Sequence, residues 1–127
     1  MCPDDRGARF DGAGGEDYAD VFDSDGNTSA LDAVIDTGFT DSLMINETLA
    51  QSLRLPRLQA KPYEMGDGSR VEFSRYALDI LWRGRRRTVI AVGSDAAIPL
   101  VGMKLLYGHF LLIEVVDGGI VRVLGMD

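Results

Sequence analysis

The sequence holds one cysteine, Cys2, and one histidine, His109, in 127 residues. With a single cysteine no intrachain disulfide can form, so the fold must rest on packing and hydrogen bonds. A lone histidine far from a lone cysteine gives no Cys/His metal cluster and no Ser-His-Asp set, and no cofactor or metal is expected. Basic charge is also scarce: 13 Lys and Arg face 20 Asp and Glu, a net charge of −7. Such a chain has no electrostatic attraction for phosphate backbones, which argues against nucleic acid as a partner. No apolar run approaches the ~18 residues of a bilayer span, and the opening residues lack the basic start and apolar stretch of a signal peptide. A soluble, cytoplasmic protein with no membrane partner is the expectation.

What is present is a globular composition, 46% hydrophobic with mean hydropathy of zero, in a length suited to one core. The acids are unevenly spread, with nine in residues 1–32 against two arginines and eleven of each sign in the remainder. Residues 1–16 are rich in Gly, Asp and small side chains, cannot bury enough surface to offset their ordering entropy, and are expected to be a flexible tail before a domain at 17–127. The single basic cluster, Arg85-Arg86-Arg87, reads as a solvated strand face beside the Arg83-Gly84 turn.

Along the domain the pattern is one of short strands and glycine turns. Residues 18–22 and 29–35 read as strands around Asp23-Ser24-Asp25-Gly26-Asn27, whose Asp-Gly and Gly-Asn pairs suit a tight hairpin. Asp23, Asp25 and Asn27 alternate as calcium-loop ligands do, but Thr28 and Val34 stand where such a loop needs glycine and a carboxylate, so a plain turn is expected. Asn46 is a helix cap, with Leu49 and Leu53 on one face before Leu55-Pro56. Strands follow at 63–65 and 71–82 around Gly66-Asp67-Gly68-Ser69, and at 88–92. Pro99-Leu100-Val101-Gly102 leads into a short helix at 103–107. Two last strands, 110–116 and 120–124, flank Asp117-Gly118-Gly119. Together these predict an all-β fold, closed or sandwiched, with one or two short helices.

Asp36 is the candidate for chemistry. It follows the apolar residues Leu31, Ala33, Val34 and Ile35 and precedes Thr37-Gly38, so a strand delivers an acid into the core, where acids are seldom left without a role. A turn aspartate bonding backbone amides is the plainer reading of the same three residues.

In order along residues 18–127, the apolar strand into Asp36-Thr37-Gly38-Phe39-Thr40, the helix ending Leu53-Arg54-Leu55-Pro56, the Gly66-Asp67-Gly68 hairpin tip and Pro99-Leu100-Val101-Gly102-Met103-Lys104-Leu105-Leu106 resemble the retropepsin-like, single-domain aspartic peptidases, in particular their short bacterial and archaeal branch. The resemblance implies a closed acid-protease β-barrel, homodimeric, that hydrolyses peptide bonds. Hydrolysis without a metal or covalent intermediate needs one carboxylate to take a proton from water and a second carboxyl to give one to the carbonyl oxygen. Two carboxyls about 3 Å apart cannot both ionise and so share a proton. This chain has one Asp-Thr-Gly and no second Asp-Thr-Gly or Asp-Ser-Gly, so a two-fold homodimer would supply the partner acid.

By the same resemblance, Asp36 would activate water, Thr37 would bond across the two-fold axis, and Gly38 would admit backbone close to the carboxylates. Gly66, Asp67 and Gly68 would tip a flap over an extended peptide or protein substrate, and Leu100, Val101 and Gly102 would pack beneath the catalytic loop. Phe39 stands where pepsin-like members often carry a serine that bonds the carboxylate, which implies a pH optimum nearer neutral. A non-catalytic dimeric β module that binds peptides or proteins is the alternative.

Overall fold

The computed structural model describes residues 9–10 and 19–126. The chain runs β1 (Arg9–Phe10), β2 (Ala19–Phe22), β3 (Thr28–Ala30), β4 (Ala33–Ile35), β5 (Leu43–Asn46), α1 (Glu47–Ser52), β6 (Arg57–Glu64), β7 (Arg70–Trp82), β8 (Arg85–Ser94), β9 (Leu100–Val101), α2 (Met103–Leu106), β10 (His109–Ile113) and β11 (Val121–Gly125). The fold is mostly β with two short helices, as the sequence pattern predicts. No helix among the described residues is long and apolar enough to cross a membrane. Apart from β1, which pairs with β4, the stretch expected as a flexible tail lies outside the described residues.

Nine strands form one sheet in the order β1-β4-β9-β5-β8-β7-β2-β3, with β6 attached to β7 off that path, while β10 and β11 make a separate two-stranded sheet. The path has two ends, β1 and β3, and no pairing among the described residues joins them. Among the described residues, hydrogen bonding therefore leaves open the barrel expected from sequence.

Period-two alternation builds the centre of the sheet. Tyr76, Leu78, Ile80 and Trp82 of β7 all point inward and are buried, and full burial of a Leu or Ile side chain contributes about 2 kcal/mol. β4 departs from alternation because Ala33, Val34 and Ile35 are all buried. β9 and β1 flank its two edges, Ala33 and Ile35 enter the core on one face and Val34 is buried on the other, and a strand covered on both faces is apolar throughout.

Four boundaries differ from the sequence reading, the first being that the strand expected at 110–116 runs His109–Ile113 and ends three residues early. The strand expected at 29–35 is two strands, β3 paired with β2 and β4 paired with β1 and β9. Between them Leu31 is buried and its N–H donates to the Ala19 carbonyl at 2.9 Å, so the chain turns inward and changes partners. β6 starts at Arg57, well before the expected 63, with a register shift between Leu58 and Lys61. β8 extends from Arg85 to Ser94 rather than 88–92.

The turns follow their residues. Asp23 Oδ1 accepts from the amides of Asp25 (2.8 Å) and Asn27 (2.9 Å), so the alternating acids close a hairpin, and those backbone bonds hold the Asp23 carboxyl below its ordinary range. Asn46 Oδ1 caps α1 by accepting from Thr48 N at 2.7 Å. α1 ends with Arg54 at φ 55°, while Leu55 N reaches Ala50 O and Arg54 N reaches Gln51 O, a Schellman closure with arginine in the position usually given to glycine.

Candidate active site

Asp36 leaves the end of β4 at the place where two segments meet. Its own N–H donates to Val101 O at 2.9 Å, Val34 N donates to Pro99 O at 2.9 Å, and Gly102 N donates to Ser42 O at 3.0 Å. The first amides of a helix lack intrahelical acceptors, and α2 has no side-chain cap. Met103 N and Lys104 N instead donate to the carbonyls of Phe39 (2.8 Å) and Asp41 (3.3 Å). Residues 36–42 are thus stitched by backbone to residues 99–104. A glycine is required at 102 for this contact, because a Cβ there would lie 2.1 Å from the Asp41 carbonyl and 2.7 Å from that of Phe39.

Within the loop, Asp36 Oδ1 accepts from Gly38 N at 2.9 Å, and Phe39 N donates to Asp36 O at 3.1 Å. A Cβ at position 38 would sit 3.2 Å from the same carboxylate oxygen. Gly38 is used for close approach to the carboxylate. The aspartate does bond a backbone amide, as the plainer turn reading requires, and its half-buried side chain also lines a cavity.

That cavity, about 370 Å³, is bounded below by Asp36, Gly38, Phe39 and Thr40 and above by Tyr63, Glu64, Met65 and Gly66. Met44, Phe73, Val92 and Leu100 supply apolar wall. The fold therefore brings Asp36, Gly38 and Gly66 to one space. Thr37, Asp67 and Gly68 do not line it: Thr37 is exposed, and Asp67 and Gly68 lie at the exposed tip of the β6–β7 hairpin. The tip is closed by Met65 N to Ser69 O (2.7 Å) and Gly68 N to Met65 O (2.9 Å), with Gly68 at φ 86°. Asp67 Oδ1 accepts from the Ser69 hydroxyl (2.6 Å) and amide (2.9 Å), which holds its carboxyl below the usual range.

Two side-chain pairs around this space are invisible to local pattern. The Tyr63 hydroxyl donates to Asp41 Oδ2 at 2.9 Å, tying the hairpin to the loop, and the Tyr63 ring meets Phe73 edge-on at 5.8 Å. Burial, reinforced by Asp41, pushes the Tyr63 phenol up. Behind it the Tyr76 hydroxyl donates to Glu47 Oε2 at 2.9 Å, and burial with that carboxylate raises Tyr76 likewise. The available signals were an acid five residues after Asp36 and a tyrosine, apolar with one polar end, beginning a predicted strand. Among the described residues no group of three or more His, Cys, Asp or Glu is placed to hold a metal.

The arrangement offers one carboxylate on the cavity floor, braced by an amide, facing a mostly apolar space bordered by a hairpin that carries Glu64. No family model and no curated protein matches the chain. Among solved structures it is similar to EIAV protease complexed with the inhibitor HBY-793, at 20% identity and TM-score 0.51, over 70% of this chain and 81% of that one. It is also similar to the simian foamy virus (mac) protease, at 18% identity and TM-score 0.49, over 70% of this chain and 88% of that one. The likeness to the first is one of fold, so the chain has the architecture of a retroviral aspartic protease.

Proposed function

We propose that the chain is one half of an aspartic endopeptidase of the single-domain, retropepsin-like kind, with Asp36 as its acid-base residue and a second copy supplying the other. The observation that carries the reading is the placement of the Asp36 carboxylate on the floor of the 370 Å³ cavity beneath Glu64, Met65 and Gly66. An extended peptide lying between loop and hairpin presents its carbonyl to Asp36, while its main chain adds to the hairpin as a strand. One carboxylate takes a proton from water as the oxygen attacks the peptide carbon, and the partner's carboxyl protonates the carbonyl oxygen. The two roles exchange when the amine departs.

The need for a second copy agrees with two features. A single Asp36 cannot be acid and base at once, and Thr37, exposed beside it, is free to face a partner loop. A seam is available in β10 and β11. Leu111 and Val123 face the core, whereas Phe110 and Leu112 on the opposite face are 56% and 53% exposed, and Val115, Val116 and Ile120 at the connecting turn are 73%, 56% and 56% exposed. An apolar face of this extent on a small domain marks an association surface. Phe39, lining the cavity in place of a hydroxyl-bearing residue, supports a pH optimum nearer neutral than pepsin's.

Purified protein incubated with a peptide library should cleave between residues that fit the apolar walls, and Asp36→Asn should lower the rate by at least about a hundredfold while leaving the sedimentation coefficient unchanged. Cleavage that survives Asp36→Asn removes Asp36 from the chemistry. A dimer that binds peptides without cutting them at any pH identifies a binding module of the same fold.

A further inference from the structure

A second cleft, about 820 Å³, lies where the β7–β8 hairpin meets the open end of β10–β11. Phe73 of the Asp36 cavity and Trp82 of this cleft are nine residues apart on β7, roughly 30 Å of strand. Arg83, Arg85, Arg86, Arg87 and His109 line it, and among the described residues no acid does, in a chain whose net charge is −7.

The arginines are not equivalent. In the β7–β8 ladder Arg86 stands opposite Leu81 on the outer face, hydrogen-bonded to Asp79 through Nε (3.1 Å) and Nη2 (3.0 Å) and stacked 4.1 Å over Phe22. Arg85 and Arg87 stand opposite Trp82 and Ile80, whose side chains are buried. Both are therefore on the core face, at the end where the core opens into the cleft. Both are exposed, and neither has a side-chain hydrogen bond or ion pair among the described residues. The floor beside them is fixed: Trp82 Nε1 donates to His109 Nε2 at 3.4 Å, and His109 Nδ1 faces the carbonyls of Leu106 (3.3 Å) and Tyr107 (3.0 Å), a pattern that requires the Nδ1–H tautomer.

The same stretch of β8 has an open edge. β5 pairs with β8 only from Ala91 to Ser94, so residues 85–90 have β7 on one side and no strand on the other among the described residues. Arg83 (φ 49°) and Gly84 (φ 81°) make a two-residue turn of the I′ kind, which makes Trp82 and Arg85 a hydrogen-bonded pair. By alternation the main-chain groups of Arg85 and Arg87 point to β7, and those of Arg86 and Thr88 point out from the edge. A strand laid there finds backbone partners at Arg86 and Thr88. Its side chains two apart recur about every 7 Å, the spacing of Arg85 and Arg87.

We infer that the open edge of β8 captures an extended acidic segment of a partner protein by strand addition, with carboxylates two residues apart seated on Arg85 and Arg87. Main-chain bonds to Arg86 and Thr88 set the register, and the guanidinium groups take the acids as forked, charge-assisted pairs. The site is independent of Asp36 and serves recognition away from the cavity.

The test uses the full-length Asp36→Asn protein, which cannot consume a peptide, and two blocked, fluorescent octapeptides. One alternates glutamate with valine and the other has the same composition with its glutamates contiguous. Anisotropy titrations should give at least tenfold tighter binding of the alternating peptide, and Arg85→Ala/Arg87→Ala should weaken it at least tenfold. Thr88→Pro removes an outward N–H together with the Thr88 hydroxyl bond to Asp79 Oδ1 (2.5 Å), so it is read against Thr88→Val, which removes the hydroxyl bond alone. The proline variant should weaken binding as much as the double variant, and the valine variant should not. Equal binding of both peptides, undiminished binding by the double variant, or equal binding by the proline and valine variants overturns the proposal. Loss of self-association in the double variant would assign the edge to a second copy. Binding that appears only after Glu16→Gln/Asp17→Asn would assign it to the chain's own acidic stretch. Either of these two results also overturns the assignment to a partner.

Discussion

The floor and the roof of the Asp36 cavity are held in different ways. The floor, residues 36–42, is joined to the β9–α2 segment by backbone hydrogen bonds from Asp36, Gly102, Met103 and Lys104, with Gly102 in a space that admits no side chain. The roof is the β6–β7 hairpin, whose first strand pairs only with β7, off the main path of the sheet. Among the described residues, its hydrogen-bonded tie to the loop is the hydroxyl of Tyr63 on Asp41. In the proposed function the carboxylate has to meet a partner's carboxylate within about 3 Å, which needs a fixed base. A hairpin that must admit and then cover a peptide needs a release. The contrast between many backbone bonds and one side-chain bond follows that division.

The largest effect should come from the floor. Gly102→Ala drives a methyl against two carbonyl oxygens, and is expected to cost about 3 kcal/mol by denaturant titration. Displacing the loop by as little as 1 Å should lower peptide turnover by about a hundredfold. If Gly102→Ala is neutral in both, the floor is not rigid. In the roof, Tyr63→Phe removes one hydrogen bond and should cost about 1 kcal/mol or less, while leaving turnover at saturating peptide nearly intact and changing KM. A loss confined to kcat would mean that Tyr63 serves the chemistry instead of the hairpin.

A pH effect sharpens the same contrast. Burial first, and the neighbouring carboxylate second, raise the phenols of Tyr63 and Tyr76. A pKa raised in the folded state gives a contribution that is complete below the unfolded value of about 10 and is lost as pH rises through the folded value. Stability should therefore decline above about pH 10, and the Tyr63→Phe/Tyr76→Phe double variant should decline less over that range. The smallest effect is expected at the hairpin tip. Asp67→Asn keeps an oxygen for the Ser69 bonds at an exposed turn, and neither melting temperature nor cleavage should change measurably. A large loss of cleavage there would bring the tip into contact with substrate.

How much of this could be read from sequence depended on how local each feature is. The Asp36 turn, the Gly66–Ser69 turn, the Asn46 cap and the alternation of β7 are set by neighbouring residues and were legible. The support of the loop by Leu100-Val101-Gly102 was legible only through resemblance, yet the requirement for glycine at 102 is steric and belongs to the folded chain. The break at Leu31 was hidden, because propensity does not register a strand changing partners. The Tyr63–Asp41 and Tyr76–Glu47 pairs join residues 22 and 29 apart, and no periodicity connects them. Arg85-Arg86-Arg87 read as one solvated face, whereas the ladder sends Arg86 to one side and Arg85 and Arg87 to the other.

The central claim, that each chain holds half of a dyad, is tested most directly by mixing subunits. A fixed amount of wild-type protein is equilibrated with a rising excess of Asp36→Asn protein, and peptide cleavage is measured per wild-type chain. Random pairing at ninefold excess leaves about a tenth of wild-type chains with a wild-type partner, so activity per wild-type chain should fall to about that fraction. Activity that stays constant across the titration would show that one Asp36 suffices and would contradict the account.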